Sequence, residues 1–538
     1  MKKIALSAFA LLLSVVAMGQ GPQVRVEGGM IEGIDSSGVK IFRGIPFAAP
    51  PVGQLRWKAP QPVVAWQGVR AAKEFGPNPI QKNAFGDMVF GTNKFSEDCL
   101  YLNVWTPTKA YNEKLPVLIY FNGGGFLSGS GSEPRYQGLT LARKGIIVVT
   151  ANYREGIFGF YASTQLSKEN EKANGYKGSG NQGFMDQAAA INWVHRNIAA
   201  FGGDPNRITI DGESAGSSSI SAQMASGMAR GSFSQVMASS GSLVGTRRVA
   251  TLEEAEKGGD AFMKSAGCKK LADLRNLSAE KLNELYKPAG LPSTCVDGKF
   301  LTEQPRETYV NGRQAQVPAL IGNNNCELPV MFLMGGKAPM MENLKPVVKD
   351  FFGADPDEIL ALYNIHTDAD IVNRPGYELG GDMFIAYSTW KWLDLLGKTS
   401  TEPIYRYLYC HPRPETTLTD KEPGLAGGTT EKKSDGPTFP PNPGAVHSAD
   451  IEYAMGNLAT NHMFKWNEND YQVSEIFQQI YLNFVKTGSP NGLGLPQWDT
   501  INGKAVAPVM HIDLKTQQMT TPKVEERYRT IDKYLMNK

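Results

Sequence analysis

The chain has 538 residues, 41% hydrophobic, 10% aromatic and 20% charged, the profile of an ordinary globular protein with ample material for a large core. Lysine and arginine number 55 against 53 aspartate and glutamate, and two of those lysines, Lys2 and Lys3, fall in a leader that is expected to be removed. What remains is formally neutral, which argues against nucleic acid or an anionic membrane as the main partner.

Lys2 and Lys3 precede an apolar run from Ile4 to Ala17, with small residues at Ala17 and Gly19. This predicts a secretory signal over 1–20, cleaved near Gly19 or Gln20, and a protein exported to the periplasm or beyond. The run is shorter than the ~20 residues that span a bilayer, and no other stretch is long enough to cross. No linker divides the rest, so 21–538 is expected to form a single domain. The five cysteines, at 99, 268, 295, 326 and 410, allow at most two disulfides. Cys268 and Cys295 flank one helical segment and are the best candidate pair; none of the five has zinc-site spacing, so no structural metal is expected.

From Val24 to Ile34 an alternating pattern around Gly28-Gly29 predicts a β-hairpin. Phe42 to Trp57, dense in proline, predicts an extended loop. Ser96–Trp105 leads into a strand, and Leu115 to Phe121 is a second, fully apolar and so buried on both faces. That strand ends in Asn122-Gly123-Gly124-Gly125-Phe126. Successive glycines let backbone N–H groups turn towards one point, as an oxyanion site requires, although a flexible surface turn would carry the same residues. Ile146 to Tyr153 is a third strand. Asn181 to Phe201 has helical spacing, with apolar residues at Phe184, Ala188, Ile191, Val194 and Ile198. Strand, helix and strand in this order imply parallel neighbours and an α/β sheet.

The next strand, Arg207 to Asp211, breaks into Gly212-Glu213-Ser214-Ala215-Gly216, the one G-x-S-x-G match in the chain. A serine hydroxyl is a poor nucleophile at its free pKa, so Ser214 has to sit on a sharp strand-to-helix turn, exposed to a base, with small flanks giving the turn room. Further strands are predicted at Val317–Gly322 and Pro403–Tyr409. The 411–446 stretch holds seven prolines and five glycines and predicts no regular element: either a long surface loop near the site or an inert insertion.

The base must be one of six histidines, at 195, 366, 411, 447, 462 and 511. With the order serine, acid, histidine, His195 is excluded. His447 follows a small-residue loop and precedes a helix; position favours it, with His411 second. For the acid that orients the imidazole, Glu327 lies just past a core strand, with Asp382 and Asp450 as rivals.

Taken together these residues resemble the type-B carboxylesterase/lipase family, which includes cholinesterases and bacterial p-nitrobenzyl esterases. The resemblance runs from about Val24 to the C-terminus. It is carried by Phe42-Arg43-Gly44-Ile45-Pro46, Ser96–Trp105, Asn122–Phe126, Asn152-Tyr153-Arg154, Phe201-Gly202-Gly203-Asp204-Pro205 and Gly212–Gly216. It implies an α/β-hydrolase fold with a large, mostly parallel central sheet flanked by helices. It also implies Ser214 as nucleophile, Glu327 as acid, His447 as base, and the N–H groups of Gly124, Gly125 and Ala215 as oxyanion donors. Against the family pattern, Pro79 replaces a cysteine, leaving Cys99 without its usual disulfide partner. Val89 stands at the choline-binding tryptophan of cholinesterases, and Leu328 where a small residue usually follows the acid.

The expectation is therefore an exported serine esterase that needs no cofactor or metal and acts on a small uncharged or aromatic ester. An amidase or acyltransferase with the same triad is the alternative; a non-catalytic binding module of this fold is disfavoured because all three side chains are retained.

Overall fold

The computed structural model describes residues 21–535 apart from 246–247, 290, 292–293 and 433–442. The signal expected over 1–20 lies outside the described residues.

The first hairpin forms as expected, Gln23–Val26 against Gly29–Glu32. The main sheet is built from β1 (Ile34–Ser36), β2 (Val39–Pro46), β3 (Tyr101–Thr106), β4 (Leu115–Phe121), β5 (Ile147–Ala151), β6 (Gly203–Gly212), β7 (Gln235–Ser239), β8 (Ala319–Asn324), β9 (Ile404–Tyr409), β10 (Pro508–Ile512) and β11 (Gln517–Thr520). These eleven strands lie in the order β11-β10-β9-β8-β7-β6-β4-β5-β3-β2-β1. Strands from β5 across to β10 pair in parallel; both edges are antiparallel. Phe42–Pro46, read from its prolines as loop, is instead the end of β2: Pro46 is its last residue and a register shift between Phe42 and Ile45 absorbs the irregularity.

Burial on both faces follows from side-chain alternation along β4. Val117, Ile119 and Phe121 enter one core, Leu118 and Tyr120 the other. Helix α1 (Gln182–Asn197) and helix α2 (Ala215–Ala225) cover the first face through Phe184, Ile191, Val194 and Ile220. Helix α3 (Glu468–Thr487) covers the second through Val473, Phe477, Ile480 and Phe484. The result is helix, sheet, helix in three layers.

Chain order makes the topology asymmetric at β4: β5 lies on one side of it and β6 on the other. In a parallel sheet the crevice past the carboxyl ends at such a reversal is where ligands bind. Two further sequence readings need correction. All five cysteines are free thiols. Cys295 Sγ faces Ser179 O at 3.3 Å while Cys268 Sγ faces Ala266 O at 3.6 Å, so the proposed Cys268–Cys295 disulfide does not form. And the 411–446 stretch is not wholly irregular: Lys421–Pro423 pairs antiparallel with Thr429–Glu431 around Gly424–Gly428, a ladder too short and too rich in proline and glycine to register as strands in sequence.

Candidate active site

Strands β4 and β6 are parallel neighbours with Phe121 opposite Gly212, so whatever follows each strand meets at one place. After β6 the chain turns sharply: Ser214 sits at φ +59°, ψ −120°, ahead of α2. Such backbone costs about 1–3 kcal/mol, and the Ser214 N–H is held by Ser239 O at 2.9 Å. A Cβ on Gly212 would stand 2.6 Å from the Gly216 carbonyl carbon, and one on Gly216 would stand 2.3 Å from Phe121 O. The first glycine lets the turn close; the second lets α2 press against the end of β4.

After β4 comes the glycine turn. Gly124 and Gly125 adopt φ +102° and +66°, with Phe126 also left-handed at +61°. A Cβ on Gly123 would lie 3.0 Å from Ser214 Cβ, so the turn rests against the serine. Among the described residues no protein acceptor takes the N–H of Gly124 or Gly125. Ala215 is the first residue of α2, where N–H groups lack intrahelical partners and the helix dipole favours negative charge.

Glu327 follows β8 and His447 lies in the segment after β9. The two loops are stitched side by side: Cys326 N–H donates to Ala445 O (2.9 Å), Ala445 N–H to Asn325 Oδ1 (2.8 Å) and His447 N–H to Glu327 O (3.0 Å). Asn324 Nδ2 adds a bond to Val446 O at 2.7 Å. This brings the three side chains into line. His447 Nε2 lies 2.9 Å from Ser214 Oγ, and His447 Nδ1 lies 2.7 Å from Glu327 Oε2. Glu327 Oε1 accepts from Asn324 N–H (2.7 Å) and Ser240 Oγ (2.6 Å).

The rivals are engaged elsewhere. His411 is clamped between Asp513 (2.8 Å) and Asp470 (3.1 Å). Asp382 accepts from Tyr363 and Tyr528 hydroxyls and pairs with Arg527. Asp450 accepts from Ser239 Oγ and from Asn324 Nδ2, buttressing the acid loop without touching the imidazole. His195 bonds Pro205 O, and His511 sits in β10 beside Cys410.

Sequence reasoning missed a fourth group. Glu213 Oε1 lies 3.2 Å from His447 Nε2, and its position inside the G-x-S-x-G match was the available signal. Burial pushes its carboxyl up to about 8. Burial alone would lower His447, but the carboxylates of Glu213 and Glu327 outweigh it and raise the imidazole to about 9. The two titrations are linked: a proton on Glu213 removes the anion that holds the imidazole up, leaving Nε2 free to accept.

The insertion touches the same place. Leu425 O accepts from Ser448 Oγ (3.0 Å), next to the histidine, and Asp87 Oδ2 accepts from the N–H groups of Ala426 (2.9 Å) and Gly428 (3.0 Å). The segment carrying Asp87 lines the glycine turn: a Cβ on Gly124 would be 3.0 Å from Met88 Cε, and one on Gly125 would be 3.7 Å from Phe85. Phe384 packs edge-on to the His447 ring at 4.9 Å. Among the described residues, no cluster of three or more His, Cys, Asp or Glu could hold a metal ion, and no helix is long and apolar enough to cross a membrane.

Comparison with known proteins agrees with this architecture. A profile of the carboxylesterase family matches residues 20–531. A fumonisin B1 esterase from Sphingopyxis macrogoltabida is 35% identical over 425 residues, 74% of this chain and 73% of that protein. The para-nitrobenzyl esterase of Bacillus subtilis is 32% identical over 498 residues, 87% of this chain and 90% of its own. The crystal structure of a Geobacillus stearothermophilus carboxylesterase superposes with a TM-score of 0.77 at 27% identity, covering 95% of this chain and 99% of that one.

Proposed function

The chain belongs to the carboxylesterase family, with its α/β-hydrolase fold and carboxylic-ester hydrolase activity, and from that premise we propose that Ser214, His447 and Glu327 carry the reaction through an acyl-enzyme. One observation carries the assignment: the unbroken relay Ser214 Oγ, His447 Nε2, His447 Nδ1, Glu327 Oε2, with links of 2.9 and 2.7 Å.

His447 takes the Ser214 proton as Oγ bonds to the ester carbonyl carbon, and the carbonyl π electrons move onto oxygen. The N–H groups of Gly124, Gly125 and Ala215 receive that oxyanion, each such donor typically contributing about 3 kcal/mol to the transition state. Glu327 keeps the proton on Nδ1 and stabilises the imidazolium. His447 then hands its Nε2 proton to the departing alkoxide, and water, deprotonated by the same nitrogen, releases the acid and restores Ser214.

The substrate we propose is a small uncharged or aromatic ester. Met88 and Phe85 beside the glycine turn and Phe384 on the His447 ring are apolar, the chain without its leader is formally neutral, and Val89 offers no ring for a quaternary ammonium. One relative is itself named for the aromatic p-nitrobenzyl group. Hydrolysis of p-nitrophenyl acetate, butyrate and octanoate beside Ser214→Ala tests the assignment. Turnover that vanishes in the variant is the expected result, and turnover surviving in it refutes Ser214. A p-nitroanilide and an added alcohol acceptor, run in parallel, separate ester hydrolysis from amidase and acyltransferase activity. Export is proposed from the Lys2-Lys3 and Ile4–Ala17 pattern, and the N-terminus of protein recovered from the periplasm or medium tests it.

A further inference from the structure

The glycine turn is a backbone device with little of its own to fix its depth, and its anchoring leads to a buried acid that the catalytic relay leaves unused. We propose that Glu155 is a positioning residue of the oxyanion turn: it clasps the Asn122 carboxamide and so sets where the Gly124 and Gly125 N–H groups stand. The inference rests on the reading of that turn as the oxyanion site.

Asn122 is the first residue past β4 and is 1% exposed. Its Nδ2 donates to Glu155 Oε1 at 3.1 Å and to Gly123 O at 2.9 Å, so the Glu155 contact is transmitted directly into the turn. The carboxamide has room only because Gly129 lacks a side chain; a Cβ there would lie 1.9 Å from Asn122 Nδ2. The segment after β5 grips the rest of the turn: Tyr153 OH donates to Asn122 O (3.0 Å) and Gly156 N–H to Phe126 O (2.7 Å). Both ends of Asn122–Phe126 are thus tied to Tyr153–Gly156, with Glu155 at the centre of the tie.

The polar accounting tells which form of Glu155 does this. Its side chain is fully buried, and two oxygens lack a donor among the described residues: Glu155 Oε2 and Asn122 Oδ1. An ionised carboxylate would leave both bare, at a cost of about 1–3 kcal/mol per group and more for a charge. A proton on Oε2 removes the buried charge and gives the acid–amide contact, already joined through Oε1 and Nδ2, a second donor. The adjacent cation is committed elsewhere: Arg154 Nε and Nη2 bond Asp186 at 2.7 and 2.8 Å. Burial accordingly holds Glu155 well above the carboxylate range, against the hydrogen bond from Asn122 and the nearby Tyr153 hydroxyl, which itself donates to Asn122 O. The neighbouring Tyr153, Tyr286 and Cys99 are raised by burial as well and stay neutral.

The test compares the whole chain with Glu155→Leu and Glu155→Gln. A glutamine keeps an acceptor for Asn122 Nδ2 and gains a donor for Oδ1; a leucine keeps neither. Because an oxyanion contact strengthens in the transition state, Glu155→Leu is expected to lower kcat about 10- to 100-fold with KM little changed. Affinity for a trifluoromethyl ketone, whose carbonyl carbon bonds Ser214 Oγ and whose oxygen enters the turn as an oxyanion, should fall in parallel. Glu155→Gln should keep most of kcat, and the wild-type-minus-variant infrared difference spectrum at neutral pH should show the carbonyl band of one protonated carboxylic acid. Wild-type kcat and ketone affinity in a folded Glu155→Leu variant would overturn the proposal. If that variant does not fold, Glu155→Gln decides: loss of kcat, or a difference spectrum without that band, overturns it. Ser214→Ala runs alongside, and turnover surviving there refutes the site assignment itself, independently of Glu155.

Discussion

Replacing Glu327 by glutamine preserves size and shape, so its consequence can be worked from hydrogen-bond accounting alone. Glu327 Oε1 receives two donors, Asn324 N–H and Ser240 Oγ, and Oε2 receives His447 Nδ1. A carboxamide has one oxygen and one NH₂, and it must choose. If the oxygen stays with Asn324 and Ser240, the NH₂ faces Nδ1, which must then accept. The imidazole proton moves to Nε2, pointing at Ser214, and the base is lost. If the oxygen turns to His447, the NH₂ meets Asn324 N–H. Ser240 can rotate to accept, but a backbone N–H cannot, and leaving it unpaired costs about 1–3 kcal/mol. Even in that orientation the imidazolium forfeits a charge-assisted bond of about 1.5–3 kcal/mol. Together these come to about 3–6 kcal/mol, or a loss of about 10²- to 10⁴-fold in kcat. The assay is steady-state and burst kinetics on p-nitrophenyl butyrate, with thermal unfolding to establish that the variant is folded; KM should stay near the wild-type value. A folded Glu327→Gln enzyme within about tenfold of wild-type kcat would refute the tautomer argument.

Three further outcomes are expected. Glu213→Gln removes a carboxylate 3.2 Å from His447 Nε2 that raises the imidazole, so the acid limb of the kcat/KM profile should shift to lower pH; an unmoved or raised limb contradicts the coupling. His411 is raised by Asp470 and Asp513 in spite of burial. Its stabilising contribution is therefore fully present below the unfolded value of about 6.5 and lost as pH rises through the folded one. The Tm gap between wild type and His411→Gln should be widest in mild acid and shrink with rising pH, and a gap that widens with pH has the wrong sign. Asp87→Ala should free Gly424–Gly428 and expose the 411–446 stretch to limited proteolysis, whereas Asp87→Asn, which retains an acceptor for Ala426 and Gly428, should stay resistant.

What was legible in the sequence was what the backbone dictates locally. The apolar Leu115–Phe121 run, the helix from Gln182 and the elbow at Gly212–Gly216 are each written in a handful of adjacent residues, and the structure has them where the pattern puts them. The histidine was not legible in this way. His411 and His447 both follow β9, and what separates them is pairing with residues far along the chain: Asp470 and Asp513 for one, Glu327 and Ser214 for the other. Position favoured His447; the family resemblance, not periodicity, lifted it above its rival. The cysteine pair failed for the same reason, since spacing along the chain carries no Sγ geometry. Asn122 and Glu155, 33 residues apart, left no mark at all.

The number of donors reaching each buried acid explains how a site so rich in carboxyl groups can stabilise an anion. Glu213, Glu327, Asp450 and Glu155 are all nearly inaccessible to water. Were all four ionised, the developing oxyanion would form beside a dense negative cluster. Glu327 has three donors in place, from Asn324, Ser240 and His447, and it is the acid that the proposed mechanism sets against the imidazole. Glu155 has Asn122, and burial holds it well above the carboxylate range; among the described residues Glu213 has no donor apart from its approach to His447, and burial pushes it to about 8; burial raises Asp450 too. Burial with few donors favours the proton at Glu155 and Glu213, while Asp450 is raised by burial in spite of its bonds from Ser239 and Asn324. A protonated Glu155 beside the glycine turn then adds hydrogen-bonding surface without adding field, and in the proposed mechanism the oxyanion meets the N–H groups of Gly124, Gly125 and Ala215.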